Sequence, residues 1–274
     1  MFMNSSKLIF IFLIFFSPLI SLSSSEWILS WVGMEIGMVG LLPMMILDFT
    51  SSSKEAAMKY FLIQALSSVL MLISGLMFFN YMIQSSLYIY LFLLGLSLKL
   101  GFFPGHFWVP SLVAKLGWFS NVMILGPLKI APLGFLSLLI NNFENITNLV
   151  LLLGGITTIT GAILGNNQST VRGMLGSSSI SHSGWMLVSM KFGFLWMYLF
   201  SYLIILSFIF MGLYYMDMMG VGVMIFSLSG LPPYFMFLMK MKVLWFITVS
   251  LEYMILFLMI LSSVISLNFY LKFI

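Results

Sequence analysis

The sequence predicts an all-α polytopic membrane protein of about ten transmembrane helices, in two sets of five with one broken helix in each. Three observations carry this. The 274 residues are 62% hydrophobic and only 7% charged, with a mean hydropathy of +1.16, and a water-soluble domain cannot bury that much apolar surface. Apolar runs of membrane length recur along the chain, separated by short polar or Gly/Pro stretches. Two runs are interrupted, near 101–110 and 230–233, and a shift of 129 residues lays Gly101-Phe102-Phe103-Pro104 on Gly230-Leu231-Pro232-Pro233. Paired interruptions at matching points of two halves point to a transporter site.

Residues 1–25 combine one lysine, an apolar run and a serine cluster, as a secretory leader does. A retained first span from about Lys7 fits better, because the next apolar segment, Trp27 to Leu47, follows at once and no soluble domain comes after it. The polar stretch Ser51 to Lys59 opens the third helix, with Ser53 as its N-cap and Lys54, Glu55 and Lys59 around the first turn. This helix runs to about Tyr81. After a Gln84-Ser85-Ser86 turn, Leu87 to Phe103 forms the fourth span, and His106 to Leu116, too short to cross alone, is the second half of the same discontinuous helix. Gly117 to Leu139 is the fifth. The polar stretch Asn141 to Asn148 is the predicted linker, 141–148, between a first repeat at 1–140 and a second at 149–274. Five further spans are expected at about Leu149 to Leu164, Thr170 to Met190, Phe194 to Tyr215, Val221 to Ser250 with its break, and Leu251 to Ile274.

Composition excludes several chemistries. The net charge of +4 comes from 11 basic and 7 acidic residues without a basic cluster, so no nucleic-acid partner is expected. With no cysteine and two histidines, disulfides, thiolate-held iron-sulfur clusters and the usual zinc sites are ruled out or nearly so. Gly220-Val221-Gly222 lacks the third glycine and strand-helix context of a dinucleotide fingerprint. Any redox chemistry therefore belongs to a partner. The 25 methionines suit core and lipid-facing filling by a flexible side chain better than a copper site. A genetic code with an extra Met codon, as in organelles, also raises that count.

The chemistry-bearing candidates are the ionisable residues deep in predicted spans: Glu35, Lys99, Lys129 and Lys240. A charged side chain at the bilayer centre costs about 2.5–3.5 kcal/mol on insertion scales, so such residues face a bundle interior or a water-filled path. Snorkelling is the competing role; Lys99 and Lys129 lie too far from helix ends for it, whereas Lys240, beside Lys242, is nearer an end. Burial disfavours a charged ammonium and a nearby carboxylate favours it, so a lysine whose carboxylate approaches or retreats is a switchable proton site. Glu35, the mid-span acid of the first half, is paired with Lys99 on this reasoning, against a static ion pair as the alternative. His106 follows the break, where it either relays protons between Lys99 and Lys129 or satisfies the broken backbone. His182 lies among hydroxyls in GSSSISHSGW, where packing competes with a role in a water wire. Arg172 opens its helix as an interfacial anchor.

Several strings together resemble the NADH-ubiquinone oxidoreductase chain 2 family, the mitochondrially encoded antiporter-like membrane subunits of respiratory complex I. They are GMEIGMVGLLPMM around Glu35, KEAAMKYFLIQA from Lys54, LKLGFFPGHFWVP from Leu98, LKIAPL from Leu128, SSSISHSGWML from Ser177 and SLSGLPPYFMFLMK from Ser227. The resemblance implies two inverted five-helix repeats, each with a broken helix, in agreement with the five-plus-five count. By position, Glu35 matches the family's second-span glutamate, Lys99 the lysine before the first break, Lys129 the central lysine and Lys240 the lysine after the second break; His106 matches its histidine in the HFW string. These residues are then the expected proton half-channels and connecting axis. Gly105, Ser111, Gly173, Met236 and Met239 depart from the family pattern. Relatives commonly carry one more helix at the end, and animal members are shortened at the front.

The resemblance implies a mitochondrial inner-membrane, multi-pass subunit that helps translocate protons while its complex passes electrons from NADH to ubiquinone. No cofactor is expected in this chain; NADH, FMN, iron-sulfur clusters and ubiquinone belong to partner subunits. Expected partners are other membrane-arm and accessory subunits of complex I and phospholipids such as cardiolipin. Two alternatives remain: a cation/proton antiporter subunit without electron transfer, and a structural subunit whose lysines only brace the bundle.

Overall fold

Oxygen-bearing side chains start three of the helices in the computed structural model. Thr50 Oγ1 accepts the Ser53 N–H at 3.1 Å, Thr170 Oγ1 that of Gly173 at 3.2 Å, and Asp217 Oδ1 that of Gly220 at 3.2 Å. Each satisfies an N–H group that a helix start leaves without an intrahelical partner. Thr50, not Ser53, is therefore the third helix's cap; Ser53 lies buried in the first turn with its hydroxyl donating to the Thr50 carbonyl at 2.8 Å.

The structure describes residues 5–47, 50–80, 86–232 and 234–273. Gln84 and Ser85 of the expected turn and Pro233 of the second break lie outside them. Among the described residues all regular structure is helical, and the chain divides into two compact units between Leu138 and Leu139. Six of the described helices are long and apolar enough to cross a membrane. The six include 118–142 taken as one stretch. Of the other four expected spans, the two at the breaks are left in pieces shorter than the ~20 residues that a span needs, the apolar part of the first helix is Lys7–Ser23, and one helix is rich in serine.

The first unit contains α1 (Ser5–Ser23), α2 (Trp27–Ile46), α3 (Ser51–Gly75, continued by a π-helical turn at Leu76–Asn80), α4 (Ser86–Leu100), α5 (Trp108–Val113), α6 (Trp118–Leu125) and the start of α7 (Ile130–Asn142). Helices α1 and α2 pack closely because a Cβ on Gly33 would lie 2.8 Å from the Ser21 nitrogen, a contact that only a missing side chain permits. Trp31 Nε1 donates to the Ser68 carbonyl at 3.1 Å, tying α2 to α3.

The first break differs from its expected form. Helix α4 ends at Leu100 and the resumed helix, α5, is only six residues long. Gly101 at φ +72° turns the chain, and Trp108 Nε1 donates to the Leu98 carbonyl at 3.0 Å, folding α5 back on α4. A Cβ on Gly105 would sit 2.9 Å from the Leu98 backbone, so no bulky side chain fits there in this geometry. The expected fifth span is also interrupted. Gly126 leaves helical geometry, Pro127 lacks the N–H to continue the ladder, and Pro127–Lys129 form a single 3-10 turn before α7.

The second unit contains α8 (Glu144–Asn166), α9 (Val171–Lys191), α10 (Leu195–Tyr215), α11 (Met218–Ser229), α12 (Phe235–Val249) and α13 (Tyr253–Lys272). The predicted linker at 141–148 is helical on both sides of Phe143. Its polar residues sit at helix ends, where a polar sequence is compatible with helix as well as loop. Helix α9 is buried from Gly173 to Met190 on all sides, against α8, α10, α12 and α13. Its serines 177, 178, 179, 181 and 183 each donate to a carbonyl three residues back, so their polarity is met within the helix.

Candidate functional site

In the first unit, Lys99 occupies the last turn of α4 and Glu35 the middle of α2, 64 residues apart in sequence. Their side chains meet at 2.9 Å, Lys99 Nζ donating to Glu35 Oε1, and both are largely buried. An ion pair withdrawn from water holds only while both charges are present, since loss of one strands the other.

Lys129 sits on the 3-10 turn at the Gly126-Pro127 interruption, 7% exposed. A cavity of about 30 Å³ is lined by both Lys99 and Lys129, with Tyr60 and Gln64 from α3 and Ser17 from α1. At ~10–15 Å³ per water centre this has room for about two waters. Gln64 Nε2 reaches the Lys99 carbonyl at 3.5 Å. The sequence reading missed Tyr60, Gln64 and Ser17. A glutamine amid Phe61-Leu62-Ile63 and Ala65-Leu66 was the available signal, because an amide in an apolar span needs a polar surrounding.

His106 is buried, but it is not among the cavity's lining residues. Its ring lies 5.8 Å from that of Phe103 and 4.0 Å from that of Phe107, and its Nδ1 makes no hydrogen bond to a described residue. The cavity that both lysines line is thus bordered by α3 side chains and not by His106, for which the sequence left open a relay between the lysines or a group satisfying the broken backbone.

In the second unit, Lys240 is 6% exposed rather than extended toward an interface. Gly230, at φ +77°, ends α11, and Lys240 Nζ donates to the carbonyls of Ser229 at 2.8 Å and Leu228 at 3.4 Å. It also lies 5.6 Å from the Trp185 ring centroid. The ammonium therefore caps the C-terminal end of a broken helix, where the peptide dipoles favour a cation. Neighbouring Lys242 is exposed and faces the Phe194 ring.

His182 is fully enclosed, with Nδ1 3.0 Å from the Tyr198 hydroxyl and Nε2 3.3 Å from that of Tyr270. Arg172 lies half-buried in the first turn of α9. A further ion pair absent from the sequence reading joins Lys191, at the end of α9, to Glu252 before α13. Among the described residues no group of three His, Cys, Asp or Glu side chains is placed to hold a metal ion.

Residues 24–221 match the family model for the NADH:quinone oxidoreductase/Mrp antiporter transmembrane region. NADH-ubiquinone oxidoreductase chain 2 of Albinaria caerulea is 38% identical over 95% of this chain and 85% of its own length. The chain belongs to the NADH-ubiquinone oxidoreductase chain 2 family. The Lumbricus terrestris member is 31% identical over 93% of this chain and 82% of its own. In fold, the chain resembles one from the respiratory complex I of Thermus thermophilus, with a TM-score of 0.85 at 21% identity, over 98% of this chain and 69% of that one. As a chain 2 family member it is an antiporter-like, proton-translocating membrane subunit.

Proposed function

We propose that this chain carries protons across the mitochondrial inner membrane as one subunit of an NADH:ubiquinone oxidoreductase, by a route that uses Glu35 and Lys99, Lys129 and Lys240. The observation that carries the reading is the cavity shared by Lys99, already paired with Glu35, and Lys129. When a change in neighbouring subunits separates Lys99 from Glu35, the ammonium loses the charge that favours it and releases its proton. Water in the cavity delivers that proton toward Lys129. Lys240, held by the carbonyls ending α11, is the corresponding buried cation of the second unit.

NADH, FMN, the iron-sulfur clusters and ubiquinone belong, on this reading, to partner subunits of the complex. Exposed apolar side chains such as Phe200, Trp245 and Phe257 suit contact with phospholipids, cardiolipin included, or with membrane-arm neighbours. The test is proton translocation per NADH oxidised in reconstituted complex carrying Lys129→Met. Loss of translocation with assembly preserved is expected. Undiminished translocation would leave the lysines as braces of the bundle.

A further inference from the structure

We infer that Tyr60 relays the proton between Lys99 and Lys129. The inference rests on the reading that both lysines lie on the proton route. Tyr60 is 4% exposed on α3 and lines the cavity that both lysines line. Its ring is held edge-on by Trp108 at a centroid distance of 5.9 Å, and Trp108 is itself pinned through Nε1 to the Leu98 carbonyl. The phenol is therefore fixed in place at the point where the broken helix folds back.

Three other polar side chains of the cavity have hydrogen-bond partners in the protein. Ser17 Oγ donates to the Ile14 carbonyl at 2.9 Å, Gln64 Nε2 to the Lys99 carbonyl, and Lys99 Nζ to Glu35. The Tyr60 hydroxyl makes no hydrogen bond to a described residue. A hydroxyl without a protein partner normally takes water, and Tyr60 borders space for about two. A phenol donates one hydrogen bond while accepting others, so it joins a water on the Lys99 side to one on the Lys129 side.

The transfer balances without any redox change. A hydronium formed from water by the Lys99 proton gives a proton to the phenol oxygen as the phenol's own proton passes to the second water, which hands it to Lys129. One O–H bond forms as another breaks, and the phenol ends neutral. An amide such as Gln64 has no comparably labile proton to pass on, so it orients the chain of waters without carrying the charge.

The experiment uses the assembled complex in proteoliposomes. Tyr60→Phe keeps the ring and its Trp108 contact and removes only the hydroxyl. Proton translocation should fall about a hundredfold or more, the range that a positioned proton-transfer group contributes, with NADH oxidation by a hydrophilic electron acceptor unchanged. The ratio of rates in H2O and D2O should rise, which a packing defect would not cause. Tyr60→His, which restores an exchangeable ring proton, should recover translocation above the Phe level. Equal loss in both variants, or failure of Tyr60→Phe to assemble, would overturn the relay in favour of a packing role. Lys129→Met is run in parallel. If it stops translocation while Tyr60→Phe does not, the relay falls and the lysine route stands; if Lys129→Met leaves translocation intact, both fall.

Discussion

At the scale of single residues, the Glu35–Lys99 pair shows why a buried charge has a partner. Each group alone would carry an uncompensated desolvation cost, and removing one partner of a buried pair typically destabilises by about 3–5 kcal/mol. Glu35→Gln and Lys99→Met are each expected to lower the thermal stability of the assembled complex. The double variant should recover most of that loss, because no unpaired charge remains, yet should still fail to translocate protons. Thermal melts of the three variants, with translocation measured alongside, separate a pair that only braces helices from one that also exchanges protons. Full activity in the double variant would assign the pair a bracing role.

At the scale of elements, the two breaks share one device. Gly101 and Gly230 both adopt a left-handed backbone, φ +72° and +77°, and the 129-residue shift lays one on the other. At the second break the glycine also leaves room for chemistry: a Cβ on Gly230 would lie 2.8 Å from Lys240 Cδ and 3.1 Å from its Nζ. Gly230→Ala should therefore combine a backbone cost of about 1–2 kcal/mol with displacement of Lys240 from the Ser229 carbonyl. Gly193 provides the control, since it has φ +73° and nothing within 4 Å of an added Cβ. Gly193→Ala should show the backbone cost and translocate normally, whereas Gly230→Ala should lose translocation as well. Equal activity in the two would mean that Lys240 tolerates the displacement.

At the scale of the whole molecule, each unit depends on close helix packing through small residues. In the second unit, a Cβ on Gly184 of α9 would fall 2.3 Å from Thr157 Oγ1 and 2.7 Å from the Gly154 carbonyl of α8. Gly184→Val should force these helices apart and sharply lower the yield of assembled complex on native gels, since overpacking a close contact typically costs about 1–3 kcal/mol. Normal assembly would show that α9 can shift within its surroundings.

What the sequence determined by itself was set by neighbours along the chain: an all-helical membrane class, the glycine-marked breaks, and the positions of Glu35, Lys99, Lys129 and Lys240. Hydropathy, glycine and proline act locally, so these features are readable residue by residue. Even so, Gly126-Pro127 carried a local signal of the second interruption in the first unit, and the polar stretch 141–148 lies beside the division between the units while being helical on both sides of Phe143, because polar residues suit helix ends as well as loops. Tertiary structure alone decided that Lys99 shares a cavity with Lys129, that Tyr60 and Gln64 line it while His106 does not, and that Lys240 is capped by carbonyls instead of reaching toward an interface. Those outcomes depend on how side chains from helices distant in sequence fill space together. A void, or a hydroxyl left to face one, is a property of that packing and has no signature in any single stretch of chain.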